Sequence, residues 1–153
     1  MSREDRLAEL GLKLPEVPAP VAAYIPAVRT GNLVFVSGQL PFIDGKLPLT
    51  GKVGAGVTAE QAHGLAQRCA LNALAAAASV AGGLEGIVRV VKVTGFVAST
   101  PDFTGQPQVV NGASELIGTV LGEAGAHARA AVGVASLPLD APVEVEIIVE
   151  VAP

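Results

Sequence analysis

The chain has 153 residues, half of them hydrophobic and 3% aromatic, and it carries a formal net charge of −4. This length suits one domain with its own core, and the acidic balance argues against a general nucleic-acid-binding protein, which is usually basic. No apolar run is long enough for a membrane span, and the charged start of the chain does not resemble a signal peptide. The single cysteine, Cys69, excludes an internal disulfide, so we predict a cytoplasmic protein without membrane or nucleic-acid partners.

The first 19 residues are predicted to form an N-terminal arm, ahead of a single domain that covers 20–153. Ser2 and the charged residues after it are typical of a helix start, and a short helix over 3–10 is expected to end at Gly11. Three prolines beyond this helix favour an extended segment: Pro15, Pro18 and Pro20.

The domain is predicted to begin with a β-hairpin whose strands cover 22–29 and 32–38. Residues 30–32, Thr-Gly-Asn, supply the turn, because glycine and asparagine tolerate the backbone angles of tight turns. Side chains of the second strand alternate, with Leu33, Phe35 and Ser37 on one face and Val34 and Val36 on the other.

A glycine- and proline-rich loop over 42–57 leads to a long helix. Thr58 and Gln61 form a capping box at its start, and the pair at 82–83, both glycines, ends it. Apolar residues follow two sides of this helix, which predicts burial on both sides. We expect Cys69, inside the helix, to be a small buried residue rather than a nucleophile.

Residues 87–97 are rich in β-branched side chains and predict a central strand with a bulge at Gly95. A second helix lies within 102–121. We expect it to begin near Gln108, because a glycine and a proline disturb the turn before that residue.

The last quarter of the chain predicts two strands, 129–137 and 143–151, joined by a proline-bearing loop over 138–142. We expect these strands to pair as a hairpin. In the second strand five apolar residues share one face: Val143, Val145, Ile147, Val149 and Val151. Its other face carries Glu144, Glu146, Glu150 and one apolar exception, Ile148.

These elements follow the order β-β-α-β-α-β-β, which indicates an α+β fold with two helices packed on one face of a mixed sheet. The other sheet face then needs a cover. Since half of the residues are hydrophobic, we expect apolar surface to be buried between copies of the chain.

Arg129 is the first candidate for a functional residue. It shares a strand face with Ala131 and Gly133, and such small neighbours leave the surface around it open. A guanidinium group in this place can bind a carboxylate through two parallel hydrogen bonds, which lysine cannot do. The alternative is a surface ion pair with a nearby glutamate, the commoner role of an arginine.

Several segments between residues 20 and 151 match one family, in the same order. The last is Arg129-x-x-Val132-x-Val134-x-x-Leu137-Pro138, followed by Val143-Glu144-Val145. The others are Tyr24, Gly31-Asn32, Ser37-Gly38-Gln39-Leu40-Pro41, Asn72, and Asn111 with Glu115. On these residues the chain resembles the reactive-intermediate deaminase family, also called the YjgF/YER057c/UK114 family.

The resemblance implies a homotrimer with a chorismate-mutase-like fold and clefts between subunits. It also implies hydrolysis of 2-aminoacrylate-type enamines or imines to a 2-keto acid and ammonia, with neither a metal nor an organic cofactor. In that chemistry Arg129 holds the carboxylate of the small metabolite, and Glu144 positions the water or carries the proton. The other substrate-binding residues that it implies are Tyr24, Ser37, Gly38, Asn111 and Ala131.

The predicted hairpin separates the two catalytic candidates. It sets Glu144 opposite Ser136, which leaves Arg129 about seven residues, or roughly 23 Å, farther along at ~3.3 Å per residue. One small site could not contain both side chains, so we expect them to come from different subunits.

Two other functions stay open. A trimeric protein that binds a small carboxylate or keto acid without turnover would use Arg129 equally well. An endoribonuclease is less favoured, because the chain is acidic, has few aromatic side chains for base stacking and lacks a histidine pair for phosphodiester chemistry. His127 and the long segment 103–111 depart from the family pattern at the rim of the expected cleft, and they affect substrate choice more than the fold.

Overall fold

The structure, a computed structural model, describes residues 1–17 and 23–153. The predictions for Pro18 and Pro20, for a strand start at residue 22 and for a domain boundary after residue 19 lie outside the described residues. The helices are α1 (Arg3–Glu9), α2 (Ala59–Ala81) and α3 (Gln106–Leu121). The strands are β1 (Ala27–Thr30), β2 (Leu33–Gln39), β3 (Lys52–Val53), β4 (Gly56–Val57), β5 (Ile87–Ala98), β6 (Ala128–Val134) and β7 (Val143–Val151).

Five strands form one mixed sheet in the order β1-β2-β7-β5-β6. β6 runs parallel to β5, and the other neighbours are antiparallel. α2 and α3 pack on one face of this sheet, and β3 and β4 form a separate short pair. The predicted α+β class and the order of the elements in the domain are confirmed.

The predicted hairpin of the last two strands is wrong. β5 lies between β6 and β7, so these strands are not neighbours. Arg129 on β6 pairs with Val93 of β5, and Glu144 on β7 pairs with Phe96, not with Ser136. Alternation along a strand shows which face a residue occupies, but it does not show which strand lies beside it.

The hairpin of β1 and β2 forms around the predicted turn, but β1 covers only Ala27–Thr30 and is shorter than the predicted strand 22–29. Thr30 pairs with Leu33 around Gly31, whose φ of +59° is one that glycine adopts without a Cβ penalty. The register of β2 against β7 then shifts between Val36 and Gln39. This bulge displaces the two residues between them from the regular ladder.

Both predicted caps of α2 are present. The Thr58 side chain accepts the Gln61 main-chain N–H, and the Gln61 side chain accepts the Thr58 N–H in return. Gly82 ends the helix in the left-handed conformation. Cys69 is fully buried as expected, and burial raises the pKa of its thiol well above the ordinary value, which keeps it protonated.

Glycines bring α3 close to its neighbours. A side chain at Gly112 would overlap the His63 carbonyl oxygen of α2, and one at Gly95 would overlap Val110 of α3. Gly95 therefore makes room for a helix, and the bulge predicted there is wrong. The irregularities of β5 lie earlier, between Ile87 and Arg89 and between Val90 and Lys92.

The starts of α3 and α1 can be compared with those predicted from the sequence. α3 begins at Gln106 rather than near Gln108, because Pro107 fits the first turn, where its missing N–H costs no helical hydrogen bond. α1 begins after Ser2 as predicted, and its Leu7, 1% exposed, packs into the core beside α3. None of the described helices has the length and hydropathy to span a membrane.

The sheet face opposite the helices is open in the single chain. Phe35 and Val132, each 43% exposed, lie on this open face. Val28 and Leu33 are exposed beside Phe35 on the same face, and no described element of the chain covers these apolar side chains.

Candidate active site

Arg129 lies on β6, the edge strand of the sheet, and its side chain turns towards α3. Nη1 donates to Asn111 Oδ1 at 2.7 Å and to Ser114 Oγ at 3.3 Å, and Nη2 donates to the Pro107 carbonyl oxygen at 3.4 Å. These three residues are spaced by four and three positions, which places them on one face of the helix. The start of α3 therefore orients the guanidinium group.

The three groups that hold Arg129 are uncharged. Among the described residues, acid–base pairs within 4.0 Å join Arg3 to Glu85 and His63 to Glu115, and neither pair includes Arg129. Its Nε–H and one Nη2–H donate to none of the described residues, and these two nitrogens share one edge of the planar group. The arginine thus keeps its charge and the two donors that a carboxylate needs for bidentate binding.

A chain of hydrogen bonds leads from Arg129 to the loop before β6. His127 Nδ1 lies 2.6 Å from the Gly125 carbonyl oxygen, so this nitrogen carries the proton and donates it. When the imidazole is neutral, Nε2 accepts the Ser114 hydroxyl at 2.8 Å, and the Ser114 oxygen in turn accepts from Arg129. Each hydrogen bond in this chain then has a defined donor and acceptor, which fixes the rotamer of Ser114 beside the guanidinium group.

Ala131 and Gly133 follow Arg129 on the same face of β6. Ala131 is half-buried and pairs with Gly95 of β5. Because β6 is an edge strand, main-chain groups on its outer side pair with no other strand of the described chain. A main-chain contact from Ala131 to a substrate amine stays a prediction, and this side of the strand is open to one.

Glu144 lies on β7, on the open face of the sheet. Its carboxylate packs against Gly38, where any side chain would overlap it. Ser37 donates its hydroxyl to the Ile25 carbonyl oxygen at 2.7 Å, which ties the segment before β1 to the same end of β2. Tyr24, in that segment, is 57% exposed.

The environment of Glu144 changes its acidity. Burial raises the pKa of this carboxyl above its ordinary value of 4.5, and the nearby negative charge of Glu146 raises it further. A carboxyl group whose pKa lies closer to neutral can both accept and release a proton under ordinary conditions.

The predicted site residues fall into two groups in one chain. The arginine group contains Arg129, Asn111 and Ala131, and the glutamate group contains Glu144, Gly38, Ser37 and Tyr24. The two groups lie on opposite faces of the sheet, with β5 between their strands. One chain therefore does not bring the two catalytic candidates together.

Sequence reasoning missed Ser114 and gave Asn72 only as part of the family match, without a structural role. Ser114 lies three residues after Asn111, a helical spacing that could have marked it as a second contact of the arginine. Asn72 of α2 donates to the Leu40 and Phe42 carbonyl oxygens at 3.0 and 3.1 Å, which holds the segment after β2 in place. Nothing in the local sequence connects Asn72 with that segment.

The family model described as Endoribonuclease L-PSP matches residues 15–151. The chain belongs to this family. The match confirms the family that the resemblance indicated.

Of two relatives of this chain, only one has a name that states an activity. Protein TCP17 of Trypanosoma cruzi is 46% identical over 145 residues, covering 94% of this chain and 91% of that protein. The 2-iminobutanoate/2-iminopropanoate deaminase of Escherichia coli K12 is 35% identical over 131 residues, covering 86% of this chain and 89% of the relative. Deaminases of small imines therefore occur among its relatives.

Two solved structures have the same fold as this chain. Atu1372 of Agrobacterium tumefaciens, whose function is unknown, has a TM-score of 0.91 at 54% identity and covers 98% of this chain and 92% of its own. The YjgF gene product of E. coli has a TM-score of 0.64 at 30% identity and covers 88% of this chain and 93% of its own. These neighbours confirm the predicted YjgF-like fold.

Proposed function

We propose that this protein is a cofactor-free hydrolytic deaminase of small enamines and imines of the 2-aminoacrylate type. The observation that carries the proposal is the guanidinium group of Arg129 at an open strand edge, where no described acidic residue pairs with its charge and two of its donors bind none of the described residues. A 2-imino acid offers the carboxylate that such a group binds. The deaminase relative in E. coli supports the same chemistry.

The arginine group and the glutamate group have different roles in the reaction. The enamine takes a proton on its terminal carbon and becomes the imine, and water then adds to the imine carbon to give a carbinolamine. Glu144 takes a proton from the attacking water and passes it to the nitrogen, which gives the amino group of the carbinolamine. It then carries a second proton from the carbinolamine hydroxyl to the same nitrogen, so that the C–N bond breaks, ammonia leaves and the 2-keto acid forms. Arg129 holds the carboxylate through both steps and positions the reacting carbon.

The active site requires more than one chain. Arg129 and Glu144 lie on opposite faces of the sheet, so a substrate that contacts both must lie between two subunits. The apolar open face supports a homotrimer in which these surfaces pack together, as the family resemblance implies. Tyr24, Ser37 and Gly38 would then reach the substrate from the glutamate side.

The direct test is a coupled assay in which a separate enzyme generates 2-aminoacrylate and the keto acid is followed with time. We expect the wild type to accelerate keto acid formation and Arg129→Ala to lose this acceleration. Arg29→Ala is the matched control, since Arg29 is an exposed arginine that bonds, in the part of the chain that the structure describes, only to the Gly31 and Ala152 carbonyl oxygens. No acceleration by the wild type would contradict the proposal.

A protein that binds a keto acid without turnover is the second candidate, because Arg129 serves it equally well. Glu144→Gln separates the two functions. In a deaminase this change abolishes turnover and leaves carboxylate binding intact, whereas a binding protein shows no turnover before the change either. Calorimetry with pyruvate alongside the coupled assay measures both properties.

The family description also raises an endoribonuclease, which we do not favour. The net charge is −4, and the two histidines serve separate contacts, His63 with Glu115 and His127 with Ser114. RNA cleavage by the purified protein that disappears with Arg129→Ala would revive this function. We therefore propose a small carboxylate metabolite, rather than nucleic acid or membrane, as the partner, and a cytoplasmic site of action.

A further inference from the structure

A cleft of about 410 Å³ opens beside Gly133, farther along β6 than Arg129. It is lined by Ser99 and Thr100, which follow β5, and by Phe103 and Gln106. None of the residues that line it is charged. The cleft therefore suits a neutral group, because a charged group loses hydration there without gaining an opposite charge.

The Gln106 amide has one orientation in this cleft. Its Nε2 donates to the Phe103 carbonyl oxygen at 2.8 Å and to Ser99 Oγ at 3.2 Å. A carbonyl oxygen can only accept, so the nitrogen of the amide must face it. Oε1 accepts no hydrogen bond from the described residues and remains an acceptor for a ligand.

The lack of a side chain at Gly133 leaves the space that the Gln106 amide occupies. A Cβ atom at this position would lie 2.7 Å from Gln106 Nε2 and 2.9 Å from Ser99 Oγ. Both distances are closer than van der Waals contact allows, so any side chain here displaces the amide. Because residue 133 is a glycine, no side chain at this position of β6 displaces Gln106 from the cleft.

The cleft and Arg129 are connected by the first turns of α3. Pro107, next to Gln106, accepts from Arg129 Nη2, and Asn111 accepts from Nη1. Gln106 and Asn111 are five residues apart, which is about 7.5 Å along the helix axis at ~1.5 Å per residue. From this spacing we expect a substrate whose carboxylate lies on Arg129 to reach Gln106 with a side chain of about four atoms.

We propose that Gln106 determines substrate specificity and selects 2-imino acids whose side chain ends in a neutral N–H donor, such as the primary amide of glutamine. This inference rests on the proposed deaminase function. The side-chain amide donates to Gln106 Oε1 in the cleft, while Arg129 holds the carboxylate. A methyl or ethyl side chain does not reach the cleft, and an apolar side chain of equal length leaves Oε1 without a partner.

The first experiment compares two imines of equal length, made in situ from glutamine and methionine by an amino-acid oxidase. We expect the wild type to prefer the glutamine imine by about three- to tenfold in kcat/KM, the usual contribution of one hydrogen bond. Gln106→Ala should bring this ratio close to one. Gln108→Ala is the matched control, because Gln108 is an exposed glutamine on the same turn of α3.

Gly133→Ala provides a second variant that leaves Gln106 in the sequence. The added methyl group displaces the amide, so the preference for the glutamine imine should fall here as well. A wild-type ratio of one or less, or a ratio that survives both Gln106→Ala and Gly133→Ala, would overturn the inference.

A binding measurement separates this inference from the proposed function. Glutaramate and hexanoate are stable acids of equal chain length, and only glutaramate ends in an amide. Tighter binding of glutaramate that depends on Gln106, without turnover of any imine, supports the specificity of the cleft and rejects the deaminase. Turnover of imines without any preference for the amide supports the deaminase and rejects the role of Gln106.

Discussion

At the scale of single residues, the main feature is that uncharged hydrogen-bond acceptors hold the charged guanidinium group of Arg129. Asn111, Ser114 and Pro107 fix the Arg129 guanidinium without cancelling its charge. An acidic partner would have bound the same donors and competed with a carboxylate ligand. The arginine is thus oriented before the ligand arrives, which lowers the entropy cost of binding.

Ser114→Ala tests whether this orientation matters. The change removes one acceptor from Arg129 and leaves His127 Nε2 without its donor. We expect KM for the imine to rise about three- to tenfold with little change in kcat, because the lost contact is made equally in the ground and transition states. Ser114→Thr, which keeps the hydroxyl, should restore KM, and equal kinetics for Ser114→Ala and wild type would contradict this role.

Glu144→Gln tests the raised pKa of Glu144 through stability. A folded-state pKa above 4.5 means that the folded protein releases this proton at higher pH than the unfolded chain. Wild-type stability is therefore lost as the pH rises from 4.5 through the folded-state pKa, and glutamine avoids that loss. We expect the Tm of the variant relative to wild type to increase from acidic to neutral pH, whereas a constant difference would argue against a raised pKa of Glu144.

At the scale of elements, α3 connects the core with the candidate site. One side of it packs closely on α2 and β5 through Gly112 and Val110, and another side holds Arg129. Any change that lifts the helix from its neighbours therefore moves the acceptors of the guanidinium as well. Packing and function depend on the same position of the helix.

Two glycines of α3 allow a matched test of this packing. Gly112→Ala places a methyl group against the His63 carbonyl oxygen, and backbone cannot move aside cheaply, so we expect a loss of about 1–3 kcal/mol in unfolding free energy. Gly118→Ala meets no atom within 4 Å and should instead gain about 0.5–1 kcal/mol from helix propensity. Urea unfolding of both variants measures the contrast, and similar effects for the two would refute the close packing.

At the scale of the whole molecule, one sheet separates the two catalytic candidates. Its helix face carries Arg129, and its open face carries Glu144 beside an apolar surface that includes Phe35 and Val132. A subunit interface on this open face would cover the apolar surface and bring the two groups of different chains together.

Mixing two inactive variants tests this arrangement. Arg129→Ala and Glu144→Gln should each be inactive alone. After unfolding and refolding in equal amounts, about one quarter of the sites in random trimers receive both intact residues, so about a quarter of wild-type activity should return. Sedimentation should give about three times the 15.3 kDa mass of one chain. Activity that never returns on mixing would show that each site uses a single chain.

The sequence by itself determined much of the local structure. The helix start at Ser2, the capping box at Thr58, the turn at Gly31 and the alternation of β7 depend on residues close in the chain, and each is present. The family signature around Arg129 likewise depends on short spacings. Such features follow from local backbone preferences and the period of side-chain burial, which a sequence displays directly.

Only the tertiary structure decided which strands are neighbours and what lies around the arginine. The alternation of apolar and polar residues in β7 is the same whether β7 pairs with β6 or with β5, so it could not show that the predicted hairpin was wrong. Arg129 and Glu144 are separated because they lie on opposite faces of the sheet, and not because they lie far apart along a hairpin. The role of Gly95 under Val110 and that of Gly133 under Gln106 also depend on elements far apart in the chain. Long-range contacts of this kind leave no local pattern, because they arise from the packing of complete helices on the sheet.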